Sequence, residues 1–253
     1  MFLSQIQTKL PTLTRFVRSG LDYLLPNRCA LCTVELVPNT ASGLCMHCWQ
    51  AMQPLRGRCP GCAHSPSSSP YELCTRCQKP SSRSRVADTC LAGFVHDEFA
   101  AELISRFKFG GELACARPLV KALEQQIDTF YDAHHPLPSV LLPVPLSRTS
   151  HIQRGFNQSH VLARRIGRVF GIPVKAHWLS RQHRPPQRTL GRSERHKLPS
   201  ATFKVKVQPT ARHVVVVDDV LTTGSTVRAL RAQLLRSGVD RVDVWCATRS
   251  MLE

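Results

Sequence analysis

The sequence lacks several features that would place it in common classes of protein. None of its 253 residues belongs to an uninterrupted apolar run of roughly 18 or more, so we expect no transmembrane segment. Residues 1–28 lack the apolar core of a secretory signal, and a cytoplasmic location is therefore expected. Aromatic residues make up only 6% of the chain, which argues against an extensive surface for base stacking.

Acidic residues are also scarce. The chain has 17 Asp and Glu against 34 Lys and Arg, which gives a formal net charge of +17. Residues 148–206 contain 14 of these basic residues and a single acid, Glu194. This clustering suits a polyanionic partner such as pyrophosphate, a phosphorylated metabolite or nucleic acid, although a merely solvated basic surface has the same composition.

Cysteine, by contrast, is abundant. Eight of the 11 cysteines form four Cys-x-x-Cys pairs, and without an export signal we expect metal ligation in a reducing compartment. Two such pairs supply the four corners of a tetrahedral site, so pairing in chain order predicts two structural Zn²⁺ sites. Interleaved pairing, and iron in place of zinc, stay open. The expected metal ligands are Cys29, Cys32, Cys45, Cys48, Cys59, Cys62, Cys74 and Cys77.

The remainder of the chain alternates between strand-like and helix-like patterns. Apolar runs typical of buried parallel strands cover residues 89–95, 140–144, 174–179, 214–217 and 242–247. Apolar residues at helical spacing separate most of these runs, which predicts an α/β fold with a mostly parallel sheet. We therefore expect a helical lead-in at residues 1–28, a double zinc-ribbon module at 29–80 and an α/β domain at 89–250.

Residues 214–226, Val-Val-Val-Val-Asp-Asp-Val-Leu-Thr-Thr-Gly-Ser-Thr, carry the strongest functional signal. The predicted strand ends in Asp218 and Asp219, at the edge where open α/β sheets bind ligands. A hydroxyl-rich loop with Gly224 and the start of a helix follow, an arrangement that favours a bound phosphate. The acids suit sugar hydroxyls or a bridging Mg²⁺. No Gly-Lys-Ser/Thr follows the loop, which excludes a P-loop.

This run resembles the phosphoribosyl pyrophosphate motif of type I phosphoribosyltransferases. The resemblance implies a sheet of that type flanked by helices, and it implies that Asp218 and Asp219 act catalytically by holding the ribose hydroxyls. It assigns the 5′-phosphate to Leu221, Thr222, Thr223, Gly224, Ser225 and Thr226. The cysteine pairs and four further segments are similar to the ComF family. The segments are residues 107–111, 142–148, 154–159 and 187–195.

The resemblance also implies contacts to the leaving pyrophosphate. Arg148 and Arg154 would lie near the position of the pyrophosphate loop, where a guanidinium suits phosphate oxygens. Residues 181–198 correspond to the flexible loop that closes over such sites, and would bring Arg188, Arg192 and Arg195 to the ligand. The same segment equally suits an ordered basic surface for nucleic acid.

Three functions remain open. Members of the ComF family are competence proteins, which implies handling of single-stranded DNA in natural transformation, with competence-machinery proteins at the inner membrane as partners. The chain is alternatively a phosphoribosyltransferase that uses phosphoribosyl pyrophosphate and Mg²⁺ on an unidentified acceptor, or a sensor of that ligand. Only six residues follow Ala247, so no C-terminal acceptor-binding hood is expected, and ligand binding is better supported than transfer.

Overall fold

The computed structural model of the protein describes residues 27–38, 40–52, 54–79, 85–132, 134–182 and 202–251. Nearly all of the expected lead-in at residues 1–28 lies outside these stretches. Arg188, Arg192 and Arg195 also lie outside them, so their expected roles stay predictions. None of the helices in the stretches above combines the length and the apolar character needed to cross a bilayer.

Two short helices belong to the cysteine-rich module, α1 (Met46–Ala51) and α2 (Thr75–Gln78). Each begins directly after a cysteine of the predicted metal set, Cys45 and Cys74 respectively. The Cys45 sulfur accepts the backbone N–H of Cys48 at 3.4 Å, so one cysteine both caps α1 and faces the metal position. This shared use is possible because a thiolate accepts hydrogen bonds from the free amides at a helix start.

The strands and the larger helices follow in alternation. The strands are β1 (Cys90–Val95), β2 (Val140–Pro143), β3 (Leu179–Arg181), β4 (Phe203–Val205), β5 (His213–Leu221) and β6 (Arg241–Arg249). The helices are α3 (Glu98–Phe109), α4 (Ala116–Phe130), α5 (Arg148–Arg154), α6 (Gln158–Phe170) and α7 (Ser225–Arg236).

In this part of the chain, β1, β6, β5 and β2 form, in that order, a four-stranded parallel sheet, and β3 pairs antiparallel with β4. Val215, Val217 and Trp245 face a core shared with α3, α4 and α6. Val214 and Val216 face the opposite core, which is closed by α7 and the β3–β4 pair. Burial on both faces explains why these strands are continuous apolar runs, and the predicted α/β fold with a parallel sheet is confirmed.

The cysteine-rich module packs directly on the α/β sheet. Leu44 and Met52 belong to the first core, whereas Leu55 and Ala63 belong to the second. A backbone bridge also joins Pro54 to Phe94 of β1. The module therefore borrows apolar surface from the sheet, which compensates for its own small core.

The prediction of a strand over residues 174–179 is wrong. Val174 makes a single parallel bridge to Leu141, and a 3₁₀ turn then covers Ala176–Trp178. Only at Leu179 does β3 begin, and its partner is β4 rather than the main sheet. Trp178 and Leu179 fill the core beneath the β3–β4 pair, and periodicity alone does not distinguish that use from a strand.

A buried carboxylate lies near the beginning of β6. Asp243 is 0% exposed, and its oxygens lie 2.7 Å from Nε2 of His213 and 3.1 Å from Nε of Arg241. The Tyr131 hydroxyl donates to it at 2.8 Å and accepts from Nε1 of Trp245 at 3.1 Å. Burial works to raise the pKa of Asp243, but the hydrogen bond from His213 and the charges of His213 and Arg241 lower it overall.

We predict that Asp243→Asn lowers the free energy of unfolding by about 3 kcal/mol at pH 7. Removing one member of a buried ion pair leaves the other charge uncompensated, which costs about 3–5 kcal/mol. We take the low end of this range because Arg241 is 33% exposed. Since the folded-state pKa of Asp243 is depressed, its stabilisation is present above the unfolded pKa and is lost as the pH falls through the folded one. Urea unfolding measures both effects.

The matched control is Asp240→Asn, which removes an exposed ion pair with Arg212 and should cost less than about 1 kcal/mol. Equal unfolding midpoints for Asp243→Asn and the wild type would show that the buried network does not stabilise the fold.

Candidate functional site

The parallel sheet brings distant segments together at the carboxyl ends of its strands. Asp218 lies beside Cys246 in the register of β5 and β6, and Leu221 lies beside Arg249. On the other side of β5, the backbone N–H of Val144 donates to Val217 at 2.9 Å. Residues that follow β2, β5 and β6 therefore share one edge, as expected for ligand sites of open α/β sheets.

A residue of α6 forms a hydrogen bond with Asp218. Asn157 caps that helix and also donates its side-chain amide to the Val144 carbonyl at 2.9 Å, which fixes the helix start beside the sheet edge. The buried Ser159 then donates from Oγ to Oδ1 of Asp218 at 3.2 Å. Burial, followed by the charge of Asp219, raises the pKa of Asp218 to about 7.

Asp219 is paired with a lysine that the sequence analysis did not single out. The Lys108 Nζ lies 2.9 Å from Oδ1 of Asp219, and the two side chains are only 16% and 11% exposed. Lys108 stands near the end of α3, inside the segment 107–111 that resembles the ComF family. That segment was the one available signal, since nothing else in the sequence links it to Asp219.

A histidine lies at the same edge. The Nδ1 of His96, just after β1, lies 3.0 Å from the Thr248 hydroxyl. That hydroxyl donates to the backbone carbonyl of Asp219 at 3.4 Å. Burial, followed by the charge of Lys108, lowers the pKa of His96, so a neutral imidazole borders the acid pair at pH 7.

The predicted phosphate loop leads directly into α7. Gly224 has a φ of +72°, and a Cβ there would lie 2.5 Å from Cγ1 of Val86, so both the backbone conformation and the space require glycine. Thr222 and Thr223 are exposed, and Thr223 Oγ1 accepts the Ser225 N–H at 3.4 Å. The first turn of α7 reads Ser-Thr-Val-Arg and contains no acid, so an anion would find favourable amides there.

Arg249 lies buried beneath this loop and was not recognised from sequence. Its Nε donates to the Cys62 carbonyl at 3.0 Å. Its Nη1 donates to the carbonyls of Leu221 and Ser250, each at 2.9 Å, and to that of Thr222. The guanidinium therefore ties the base of the phosphate loop to the second cysteine cluster.

The two described arginines of the predicted pyrophosphate site differ in setting. Arg148 is exposed in the first turn of α5. Arg154, the last residue of α5, is half-buried, and its Nη1 donates to Oε1 of Gln158 at 3.4 Å. Gln158 precedes Ser159, so Arg154 is connected to the acid pair, whereas the structure gives Arg148 a solvent-facing position.

The eight predicted metal ligands form two groups of four among the described residues. Within each group the sulfur atoms lie within 4.8 Å of one another, which is pairing in chain order. Tetrahedral Zn–S bonds of about 2.3 Å place sulfurs about 3.8 Å apart, and Cys32 and Cys45 have theirs 3.7 Å apart. Backbone amides support the thiolates, as when Cys59 Sγ accepts from Gly61 and Cys74 at 3.3 and 3.2 Å. The donor sets therefore fit two four-coordinate zinc sites.

Comparison with known proteins gives similarities along most of the chain. A family described as the double zinc ribbon domain matches residues 20–78. "DNA utilization protein YhgH" of Salmonella typhi is 30% identical over 230 residues, covering 90% of this chain and 99% of the relative. "Competence protein F" of Haemophilus influenzae is 30% identical over 218 residues, covering 83% and 91%. "Competence protein ComFC" of Bacillus subtilis is 27% identical over 202 residues, covering 77% and 79%.

Among solved structures, the purine phosphoribosyltransferase from Pyrococcus horikoshii Ot3 is similar over 53% of this chain and 79% of its own. The identity is 17% and the TM-score is 0.30, so this likeness carries no argument about the site.

We predict that the carboxyl group of Asp218 titrates with a midpoint near 7, as its pKa of about 7 requires, against about 3.9 for an unperturbed aspartate. Carbon-13 NMR of the carboxyl groups measures this midpoint. Because the folded-state pKa is raised, the protein should lose stability as the pH rises from about 4 towards 7. Ser159→Ala should raise the midpoint further, since it removes a hydrogen bond to the charged form.

Ser139→Ala, whose hydroxyl bonds the distant His213 carbonyl, should leave the midpoint unchanged. A wild-type midpoint near 4 would refute the raised pKa of Asp218.

Proposed function

Because the chain belongs to the ComF/YhgH family of DNA utilization and competence proteins, we propose that it binds phosphoribosyl pyrophosphate with Mg²⁺ and handles single-stranded DNA during DNA uptake. The observation that supports the ligand is the meeting of two features at one sheet edge. An acid pair, Asp218 and Asp219, lies beside a glycine-containing loop that opens α7 without an acidic residue in its first turn.

In the proposed complex the two features take different parts of the ligand. The amides at the start of α7, with the hydroxyls of Thr222, Thr223, Ser225 and Thr226, hold the 5′-phosphate. Asp218 accepts hydrogen bonds from the ribose hydroxyls, and Ser159 fixes the orientation of its carboxylate. Mg²⁺, which prefers carboxylate and phosphate oxygens, would offset the charge of the pyrophosphate.

Lys108 supplies positive charge beside the acids. In the described contacts it neutralises Asp219 at 2.9 Å, and it stays within reach of a ligand at the same edge. Arg154, and the predicted contacts Arg148, Arg188, Arg192 and Arg195, would face the pyrophosphate. This distribution places acceptors at the sugar and cations at the phosphates, the charge pattern that a ribose polyphosphate requires.

The DNA part of the proposal is supported by the names of the relatives and by the basic surface of α5 and α6. Arg148, Arg164 and Arg168 are exposed on these helices. Exposed guanidinium groups bind backbone phosphates without regard to sequence. We therefore infer that a single strand runs along α5 and α6.

For the ligand, we predict that Asp218→Asn combined with Asp219→Asn weakens binding of phosphoribosyl pyrophosphate at least about tenfold in the presence of Mg²⁺. Each hydrogen bond to a charged group contributes about 1.5–3 kcal/mol, and the double variant removes both charges. Isothermal calorimetry measures the affinity, and Asp240→Asn, an exposed acid away from the site, serves as control. Equal heats from the wild type and the double variant would defeat the proposed ligand.

Release of pyrophosphate with a panel of bases and amines would establish transfer in addition to binding.

For DNA, we predict that the logarithm of the affinity for single-stranded oligonucleotides falls linearly with the logarithm of salt concentration. The slope is about −0.7 for each phosphate contact, so Arg164→Gln with Arg168→Gln should make it shallower by about 1.4. Arg212→Gln, an exposed arginine outside α5 and α6, should leave it unchanged. A flat slope for the wild type would remove the basic surface from the DNA interface.

A further inference from the structure

An aromatic ring lies exposed at the end of α3, one residue after Lys108. Phe109 is the last residue of α3 and is 73% exposed, whereas Leu103 and Phe107 of the same helix are fully buried. The ring therefore lies off the face that α3 presents to the core. A single exposed apolar residue is common on protein surfaces, so the contacts of Phe109 are what give it a possible role.

A guanidinium from a second element is stacked on this ring. The Arg154 Cζ, at the end of α5, lies 5.3 Å from the centroid of Phe109, within the range of a cation–π contact. The contact positions the ring relative to α5 while most of its surface stays open. The exposed ring with the guanidinium over it is called the Phe109–Arg154 platform.

The platform is connected to both acids of the candidate site through neighbouring residues. Phe109 follows Lys108, whose Nζ lies 2.9 Å from Asp219. Arg154 bonds Gln158 at 3.4 Å, and the next residue, Ser159, donates to Asp218 at 3.2 Å. Phe109 is thus one residue away from the lysine that contacts Asp219. Arg154 contacts the residue that precedes the serine bonded to Asp218.

A buried donor next to the platform lacks an acceptor. Gln158 is 0% exposed, and among the described residues its Nε2 has no hydrogen-bond partner. An unpaired buried amide is unfavourable, and it is satisfied when a ligand supplies an acceptor. Nucleobases carry carbonyl and ring-nitrogen acceptors on their edges. The oxygen of the same side chain accepts from Arg154, so this unpaired donor lies next to the platform.

We propose that the Phe109–Arg154 platform stacks one base of single-stranded DNA beside the acid pair, while α5 and α6 hold the neighbouring phosphates. Aromatic rings and guanidinium planes stack on bases without regard to sequence, as a strand-handling protein requires. One ring suffices for one base, which is consistent with the low aromatic content of the chain. The platform rests on the DNA-handling part of the proposed function and is independent of phosphoribosyl pyrophosphate.

Fluorescence anisotropy with a labelled oligothymidylate, at one fixed salt concentration, tests the platform. Phe109→Leu keeps an apolar side chain but removes the aromatic face, and it should weaken binding about five- to tenfold, the contribution of one stacked base. Phe109→Trp should keep or increase the affinity. Phe99→Leu is the matched control, since Phe99 is 49% exposed on the same helix without contact to Arg154 among the described ring contacts, and it should bind as the wild type does.

An abasic strand of equal length separates stacking from charge. It keeps every phosphate but has no base, so the wild type and Phe109→Leu should bind it equally. If Phe109→Leu binds oligothymidylate as tightly as the wild type does, or loses the same factor on the abasic strand, the platform is overturned while DNA binding itself stands. If the wild type binds neither strand, the DNA-handling proposal fails as a whole. Calorimetry with phosphoribosyl pyrophosphate should be unchanged in Phe109→Leu, which keeps the ligand proposal distinguishable.

Discussion

The pairing of β5 between β2 and β6 is the constraint on which the rest of the structure depends. Both faces of β5 are covered, so residues 214–217 must be apolar, and polar residues become possible only where the strand reaches the sheet edge. Asp218 and Asp219 are the first polar residues after this apolar part of β5. The same pairing delivers Val144 and Arg249 to the edge, and α6 and α7 follow from it on opposite sides.

The cysteine-rich module is joined to the loop between β5 and α7 through Arg249 and Val86. Arg249 links the carbonyl of Cys62 to those of Leu221 and Thr222, and four carbonyl oxygens satisfy its buried charge. Val86, whose N–H donates to Gly61 at 3.0 Å, packs against the position where Gly224 has no side chain. A metal site with no open coordination position can thus stabilise the loop of residues 221–224 without taking part in chemistry.

Electrostatics at the edge follow from burial as much as from net charge. In a chain of formal charge +17, the acid pair is a local exception, and the proximity of the two carboxyl groups contributes to the raised pKa of Asp218. Lys108 offsets this by pairing with Asp219, and Arg154 extends the positive field towards Phe109. Lys108 thereby keeps the two neighbouring carboxyl groups from forming an uncompensated pair of negative charges.

The sequence alone determined the features that are local in the chain. Cysteine spacing predicted the two four-thiol sets, and the run of valines, acids, hydroxyls and glycine predicted a strand, a loop and a helix in that order. These patterns suffice because each is formed by neighbours in sequence. The roles assigned to Arg188, Arg192 and Arg195 remain predictions, since these residues lie outside the described part of the chain.

Only the tertiary structure decided which distant side chains meet. Arg249 reaches Cys62 across 187 positions, and Asp218 reaches Ser159 across 59, contacts that depend on strand order and helix placement. The error at residues 174–179 has the same origin, because the partner of β3 is β4 and not the main sheet. Local propensity states what a segment can form, whereas pairing and burial between remote segments fix what it does form.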